Sequence, residues 1–186
     1  MRMILLGRLG TLMVVATLAS ASLHRSDAQQ PRRAATSPCP SDSNYQRLAF
    51  WVGDWEVVDS TGAHYATQRV RTVVEGCAIT VDWAGRAGDK GLSVFGFDAR
   101  SAEWRQIYVS NQAPFPSGVP LRKSDPSYSG PGLRFIALLD QPAGNLAQSR
   151  VTIMPMSDRR VMQLFENSKD GGKTWQTVFK GENRPQ

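Results

Sequence analysis

The chain has 186 residues, 41% of them hydrophobic, and a formal net charge of +6. Its basic residues are scattered as Arg69/Arg71, Arg122/Lys123 and Arg159/Arg160, with no run of five, so the charge reads as a solvated surface and a nucleic-acid role is excluded. Two cysteines far apart in sequence and two histidines are too few, and too dispersed, for a metal-ligand pattern, and no metal site is expected.

The chain opens MRMILLGRLGTLMVVATLASASLHRSDAQQ. Arg2 and Arg8 form a basic region. Leu9 to Leu18 is an apolar run of about ten residues, within the ~7–15 of a signal-peptide core and short of the ~18 that a membrane span needs. Small-x-small cleavage patterns follow at Ala19-Ser20-Ala21 and at Ser26-Asp27-Ala28, and the second is preferred because the chain turns polar there. Residues 1–28 are therefore predicted to be a signal peptide, residues 29–40 a Pro-rich flexible leader, and residues 41–186 the folded domain. Export to the periplasm or beyond is implied, with no transmembrane segment after signal removal. The segment removed carries Arg2, Arg8, Arg25 and Asp27, so the mature chain keeps a net positive charge. An even cysteine count in an exported chain predicts one disulfide, between Cys39 and Cys77.

After the leader, Ser41 or Ser43 is placed to cap a short helix with Tyr45, Leu48 and Ala49 on one face. From Trp51 the pattern changes to period two. WVGDWEVVD alternates Trp51, Gly53, Trp55 and Val57 against Val52, Asp54, Glu56 and Val58. HYATQRVRTVV sets Val70, Thr72 and Val74 opposite Arg69 and Arg71. CAITVDW puts Cys77, Ile79, Val81 and Trp83 on one face. EWRQIYVSN puts Trp104, Gln106, Tyr108 and Ser110 on one face and Arg105, Ile107 and Val109 on the other. LSVFGFD pairs with EWRQIYVSN, and GLRFIALLD, SRVTIMPMS, RRVMQLFEN and TWQTVFKGE complete about nine short strands joined by Gly, Asp, Asn and Ser turns. With no long amphipathic helix between them, these strands predict an all-β fold: a single antiparallel up-and-down β-barrel of about 8–10 strands with a short N-terminal helix. One connection is long. Asn111 to Gly132 holds five prolines; it reads as a lid or portal carrying Phe115, Arg122 and Tyr128, with one poor strand near Val119–Leu121.

No nucleophile elbow, P-loop or dinucleotide fingerprint is present. Ser168, Asp170, Gly172, Thr174 and Trp175 match the Asp-box S-x-D-x-G-x-T-W of glycan-active propellers. A single copy cannot build a propeller of at least ~4 blades, so the motif reads as a hairpin turn with Trp175 packed beneath it. Asp54 and Glu56 share a strand face opposite Trp55 and read as solvated.

FWVGDWEV at 50–57, Glu75-Gly76-Cys77, Trp83, Phe97-Asp98, WRQIYV at 104–109 and DGGKTW at 170–175 together resemble an exported bacterial family of unknown function. The resemblance runs from Cys39 to Glu182 and implies a calycin-like barrel of the lipocalin, fatty-acid-binding and nitrobindin type. It carries no established catalytic residue. Ala49, where an aromatic would be expected, and the Pro-rich stretch at 111–132 depart from the pattern.

Trp55, Trp83, Phe95, Trp104, Tyr108, Phe135, Phe165 and Phe179 all fall on predicted strands. Some fill the core, but a barrel of this size has room for a ligand. The expected role is non-covalent binding of a small, largely apolar molecule, with Trp83, Trp104, Gln106 and Tyr108 lining the site and Phe115 and Tyr128 at its mouth. Two alternatives stand beside it. One is a small-barrel enzyme (isomerase, cyclase or hydrolase) using Asp82, Glu103 or His64. The other is a cell-envelope interaction module with no internal ligand. No cofactor can be named; a haem would draw its axial ligand from His64 or Tyr108.

Overall fold

The computed structural model describes residues 37–112, 121–138 and 147–186. The predicted signal peptide, residues 29–36 of the leader, and Phe115 lie outside the described residues. Ten strands follow in chain order: β1 Gly53–Val58, β2 His64–Val73, β3 Ala78–Gly85, β4 Lys90–Asp98, β5 Glu103–Ser110, β6 Arg122–Ser124, β7 Leu133–Leu138, β8 Gln148–Pro155, β9 Val161–Ser168 and β10 Gln176–Pro185. Each pairs antiparallel with its neighbour in sequence, and β10 closes on β1 with Trp55 opposite Pro185 and Val57 opposite Asn183. The fold is a closed up-and-down barrel, consistent with a calycin-like architecture, in which every described strand has a neighbour on both sides. The strand beyond the nine expected, β6, lies within the long connection, just after the stretch where a poor strand is expected.

Alternation sets the inner face. Val70 on β2, Ile79 and Val81 on β3, Phe95 on β4, Phe135 on β7, and Val151 and Ile153 on β8 are all buried. Between them lie Arg69, Asp82, Ile107 and Arg150, on the outer face.

An up-and-down barrel puts alternate turns at opposite ends. One end carries the β2–β3, β4–β5, β6–β7 and β8–β9 turns and is closed by residues 37–52. Leu48 and Trp51 enter the barrel there, at 0% and 2% exposure. Trp51 meets Phe95 edge-on at 5.5 Å, and Phe95 meets Phe135 at 5.3 Å, so the solid core occupies this half. The Cys39–Cys77 disulfide ties the closing segment to the β2–β3 turn.

The expected N-terminal helix is not formed. Residues 38–48 make successive turns, followed by a single 3-10 turn at Ala49–Trp51. Asn44 O, a carbonyl that a helix capped by Ser41 or Ser43 would use, accepts instead from Trp104 Nε1 at 3.0 Å, and Gln46 Nε2 folds back to Cys39 O at 3.0 Å. Trp51, read from the sequence as a strand residue, belongs to this plug and not to β1.

Candidate functional site

Above the Trp51–Phe95–Phe135 core the barrel is hollow. A cavity of about 330 Å³ extends toward the other end, where the β1–β2, β3–β4, β5–β6, β7–β8 and β9–β10 connections lie. This size is at the lower end of small-molecule sites, ~300–1,000 Å³.

One wall is aromatic. Tyr65 lies 4.7 Å from Phe179 and 5.7 Å from Trp83, and Phe179 lies 5.6 Å from Phe165. Two irregularities shape it. The β1–β2 register shifts at Val57/Val58, so that Ala66 pairs with Val57 while His64 pairs with Val58. The bulge leaves Tyr65 unpaired and turns it toward the cavity, where strict alternation would have placed His64. The β9–β10 register shifts between Thr177 and Phe179, which brings both Val178 and Phe179 into the lining. Trp83 is pinned by its indole, whose Nε1 donates to Asp89 Oδ2 at 2.6 Å.

The opposite wall is polar. Ser93, Gln106 and Arg122 form a line across β4, β5 and β6. Gln106 Nε2 donates to Ser93 Oγ at 3.1 Å, and Arg122 Nη1 donates to Gln106 Oε1 at 3.4 Å. Gln106 sits opposite Arg122 in the β5–β6 register, so both point inward, whereas the next pair, Arg105 and Lys123, points out toward Glu103. Burial pushes the Arg122 guanidinium below its ordinary value, and nearby Tyr108 partly offsets this. Tyr108 itself lies over Gly91, which has no side chain to hold it off.

The floor includes Gln68 and Gln163, which belong to a buried amide triad with Asn183. Gln163 Nε2 donates to Gln68 Oε1 at 2.8 Å and to Asn183 Oδ1 at 2.6 Å, and Asn183 Nδ2 donates to Gln68 Oε1 at 2.6 Å. The triad ties β2 to β9 and β10 beneath the β1–β10 seam.

Among the residues expected to form the site, Trp83, Gln106 and Tyr108 line the cavity. Trp104 is inward but 1% exposed, in the closed half against Phe97, and is not part of the lining. Tyr128 lies in the β6–β7 connection, at the closed end. Its hydroxyl donates to Pro131 O at 3.0 Å and Arg134 stacks on its ring at 4.4 Å. The acid–base candidates of the enzyme reading face outward: Asp82 is exposed, Glu103 meets Arg105 and Lys123, and His64 Nδ1 lies 3.1 Å from Glu56. Asp54 is held on the outer face by Arg71 at 2.6 Å.

Sequence reasoning missed Tyr65, Gln68 and Gln163 as lining residues. Gln68 was within reach, because the parity that puts Val70 inside also puts Gln68 inside. Tyr65 was not, since only the bulge turns it inward. Arg122 was read as a portal residue and stands instead in the wall.

The Asp-box forms the β9–β10 turn. Ser168 Oγ accepts from Gly172 N at 2.8 Å, Asp170 accepts from Thr174 N at 2.9 Å and from its hydroxyl at 2.6 Å, and Trp175 Nε1 donates to Gly172 O at 2.9 Å. Gly171 and Gly172 take φ of 73° and 89°, where a side chain is strained. Trp175 is half-buried and packs 4.0 Å from the Arg150 guanidinium, which is paired with Glu166.

No protein-family model matches the chain, and no curated protein matches it.

Proposed function

We propose that this barrel binds a small, largely apolar ligand non-covalently in its cavity. The observation that carries the reading is the hollow half of the barrel, with an aromatic wall of Tyr65, Trp83, Phe165 and Phe179 facing a short polar line. Each Å² of apolar ligand surface buried there contributes ~25 cal/mol before the costs of immobilisation. Trp83, Gln106 and Tyr108 contact the ligand, the indole and phenol giving apolar area and the amide giving orientation. Phe115 is proposed at the mouth, in the β5–β6 connection.

The protein is further proposed to be exported, with residues 1–28 as its signal, and to belong to the calycin-like exported family it resembles. The Cys39–Cys77 disulfide supports an oxidising compartment. Among the described residues no helix is long and apolar enough to cross a membrane.

Native mass spectrometry of protein purified from its own cell envelope, with an absorption spectrum alongside, tests the reading. A co-purifying molecule that Tyr108→Ala releases supports it. A barrel that retains nothing and binds no member of a panel of small apolar molecules overturns it. That result would favour an interaction module, a second reading that draws on the outer face of β4 and β5. There Val94 and Ile107 face each other across the register at 42% and 48% exposure, beside Leu92 at 38%.

A further inference from the structure

We propose that the ligand carries a single anionic head group, a carboxylate being the simplest, and that Arg122, oriented by Gln106, binds it. This inference rests on the cavity-binding reading and adds the chemistry of the ligand's polar end.

The first argument is charge. Among the described residues, Arg71, Arg105, Arg150, Arg160 and Arg184 each pair closely with a carboxylate on the outer wall. Arg122 makes no such pair, yet it stands in the wall of the cavity. Asp89, the one carboxylate among the described lining residues, is committed to the Trp83 indole and forms no ion pair with Arg122. A guanidinium stays protonated at neutral pH and presents five donors in a planar fork. Its acceptor among the described residues is Gln106 Oε1, at the long distance of 3.4 Å. A largely buried cation left in this state is poorly placed unless something else brings the negative charge.

The second argument is the balance of donors and acceptors. Arg122 Nε is buried and has no hydrogen-bond partner among the described residues, and the same holds of Trp51 Nε1, in another residue that lines the cavity. Among the described residues the planar fork of Arg122 has the Gln106 amide oxygen as its one hydrogen-bond acceptor, so an acceptor is the complement this guanidinium lacks. Gln106 offers the guanidinium one amide oxygen, and reversing the amide would set its Nε2 against the arginine, donor against donor, while Ser93 Oγ can serve either orientation.

The third argument is size and shape. At ~30 Å³ per water, 330 Å³ equals about eleven waters, the scale of one or two fused rings or a medium chain. A single guanidinium beside an aromatic wall matches one negative charge with an apolar body. A second charge would face Phe165 and Phe179 unpaired.

The test uses 2-naphthoate and its neutral isostere 2-naphthamide, titrated calorimetrically at about pH 7, where the acid is ionised. Wild-type protein should bind the acid at least roughly tenfold more tightly than the amide. Arg122→Gln should erase that preference, while amide affinity moves less than about threefold. Arg122→Lys should keep part of it, because the charge remains but the fork is lost. Arg122→Met, which removes an unpaired cation, should melt at or above the wild-type temperature without ligand and lose the stabilisation that 2-naphthoate gives. If acid and amide bind the wild type equally and Arg122→Gln changes neither, the head-group assignment is wrong and the cavity-binding reading stands. If neither compound binds the wild type, nor octanoate nor octanamide, both readings fall. Should Arg122→Gln fail to fold, Arg122→Lys carries the comparison, and an acid-to-amide affinity ratio in that variant equal to the wild type's overturns the proposal.

Discussion

The ring of Tyr108 occupies the space that a side chain at Gly91 would need: a Cβ built there would lie 2.5 Å from the ring and its hydroxyl. Backbone on β4 thus lets an aromatic on β5 lie against the wall instead of standing in the cavity. Gly91→Ala should push Tyr108 into the open space. Affinity for an apolar probe should fall about tenfold, with a stability loss of ~1–3 kcal/mol. Calorimetric titration beside a thermal melt checks this; an alanine neutral in both would show that Tyr108 is not seated this way.

Trp104 and Tyr108 share a strand face but should respond in opposite manner. Trp104 is 1% exposed and holds the closing segment through Asn44 O. Trp104→Ala should cost ~3–5 kcal/mol in urea unfolding. Tyr108→Ala should cost less and act mainly on ligand affinity. A Trp104→Ala protein with normal stability and weakened binding would reverse these assignments.

The disulfide closes a loop with a sequence separation of 38. Cys39→Ser with Cys77→Ser should lower stability by ~4 kcal/mol on the chain-entropy model. The loss should be accompanied by faster hydrogen exchange of the Trp104 indole, because that donor is bonded to the tethered segment. An unchanged melting temperature in the double variant would mean that packing of Leu48 and Trp51 alone holds the plug.

Removing one member of the amide triad strands its partners. Asn183, at 0% exposure, both donates to Gln68 and accepts from Gln163. Asn183→Leu should cost ~2–3 kcal/mol, since buried amide groups then lose their partners. Substituting Gln68 and Gln163 by leucine as well should recover part of that loss. Denaturant titrations of the single and triple variants decide it.

Asp170 gives the β9–β10 turn a pH dependence. Hydrogen bonds from the Thr174 hydroxyl and amide, and then from Ser168, hold its carboxyl well below the ordinary value of 3.8. The unfolded chain takes up this proton first as pH falls. Its stabilising contribution is therefore fully present above about pH 4 and is lost as pH drops through the lowered folded value. Asp170→Asn should flatten the acid limb of the melting-temperature profile and leave no added dependence near neutrality. A variant with the wild-type acid limb would show that the turn does not draw on this charge.

Much of the barrel was legible. The alternation of Ile79, Val81 and Trp83, or of Trp104, Gln106 and Tyr108, is a local property: in a strand every second side chain meets the same face, and one apolar face has to be buried. The Asp-box was legible as a turn because its hydrogen bonds run between residues two to four positions apart. The N-terminal helix was misread because capping signals are local, whereas the carbonyl of Asn44 is claimed by the side chain of Trp104, 60 positions away. Arg122 was obscured by a strand of three residues, too short to show a period.

What the sequence by itself determined, then, is an all-β chain, the division of most strands into two faces, and the two cysteines that meet. What only the tertiary structure decided is where the interior stays open. Two register shifts bring Tyr65 and Val178 into the lining, β6 turns one arginine inward, and the N-terminal plug fills one half of the barrel while leaving the other hollow. Pattern is set by neighbours along the chain. A cavity is the volume left after ten strands from the whole chain have closed, so no single stretch of sequence contains it.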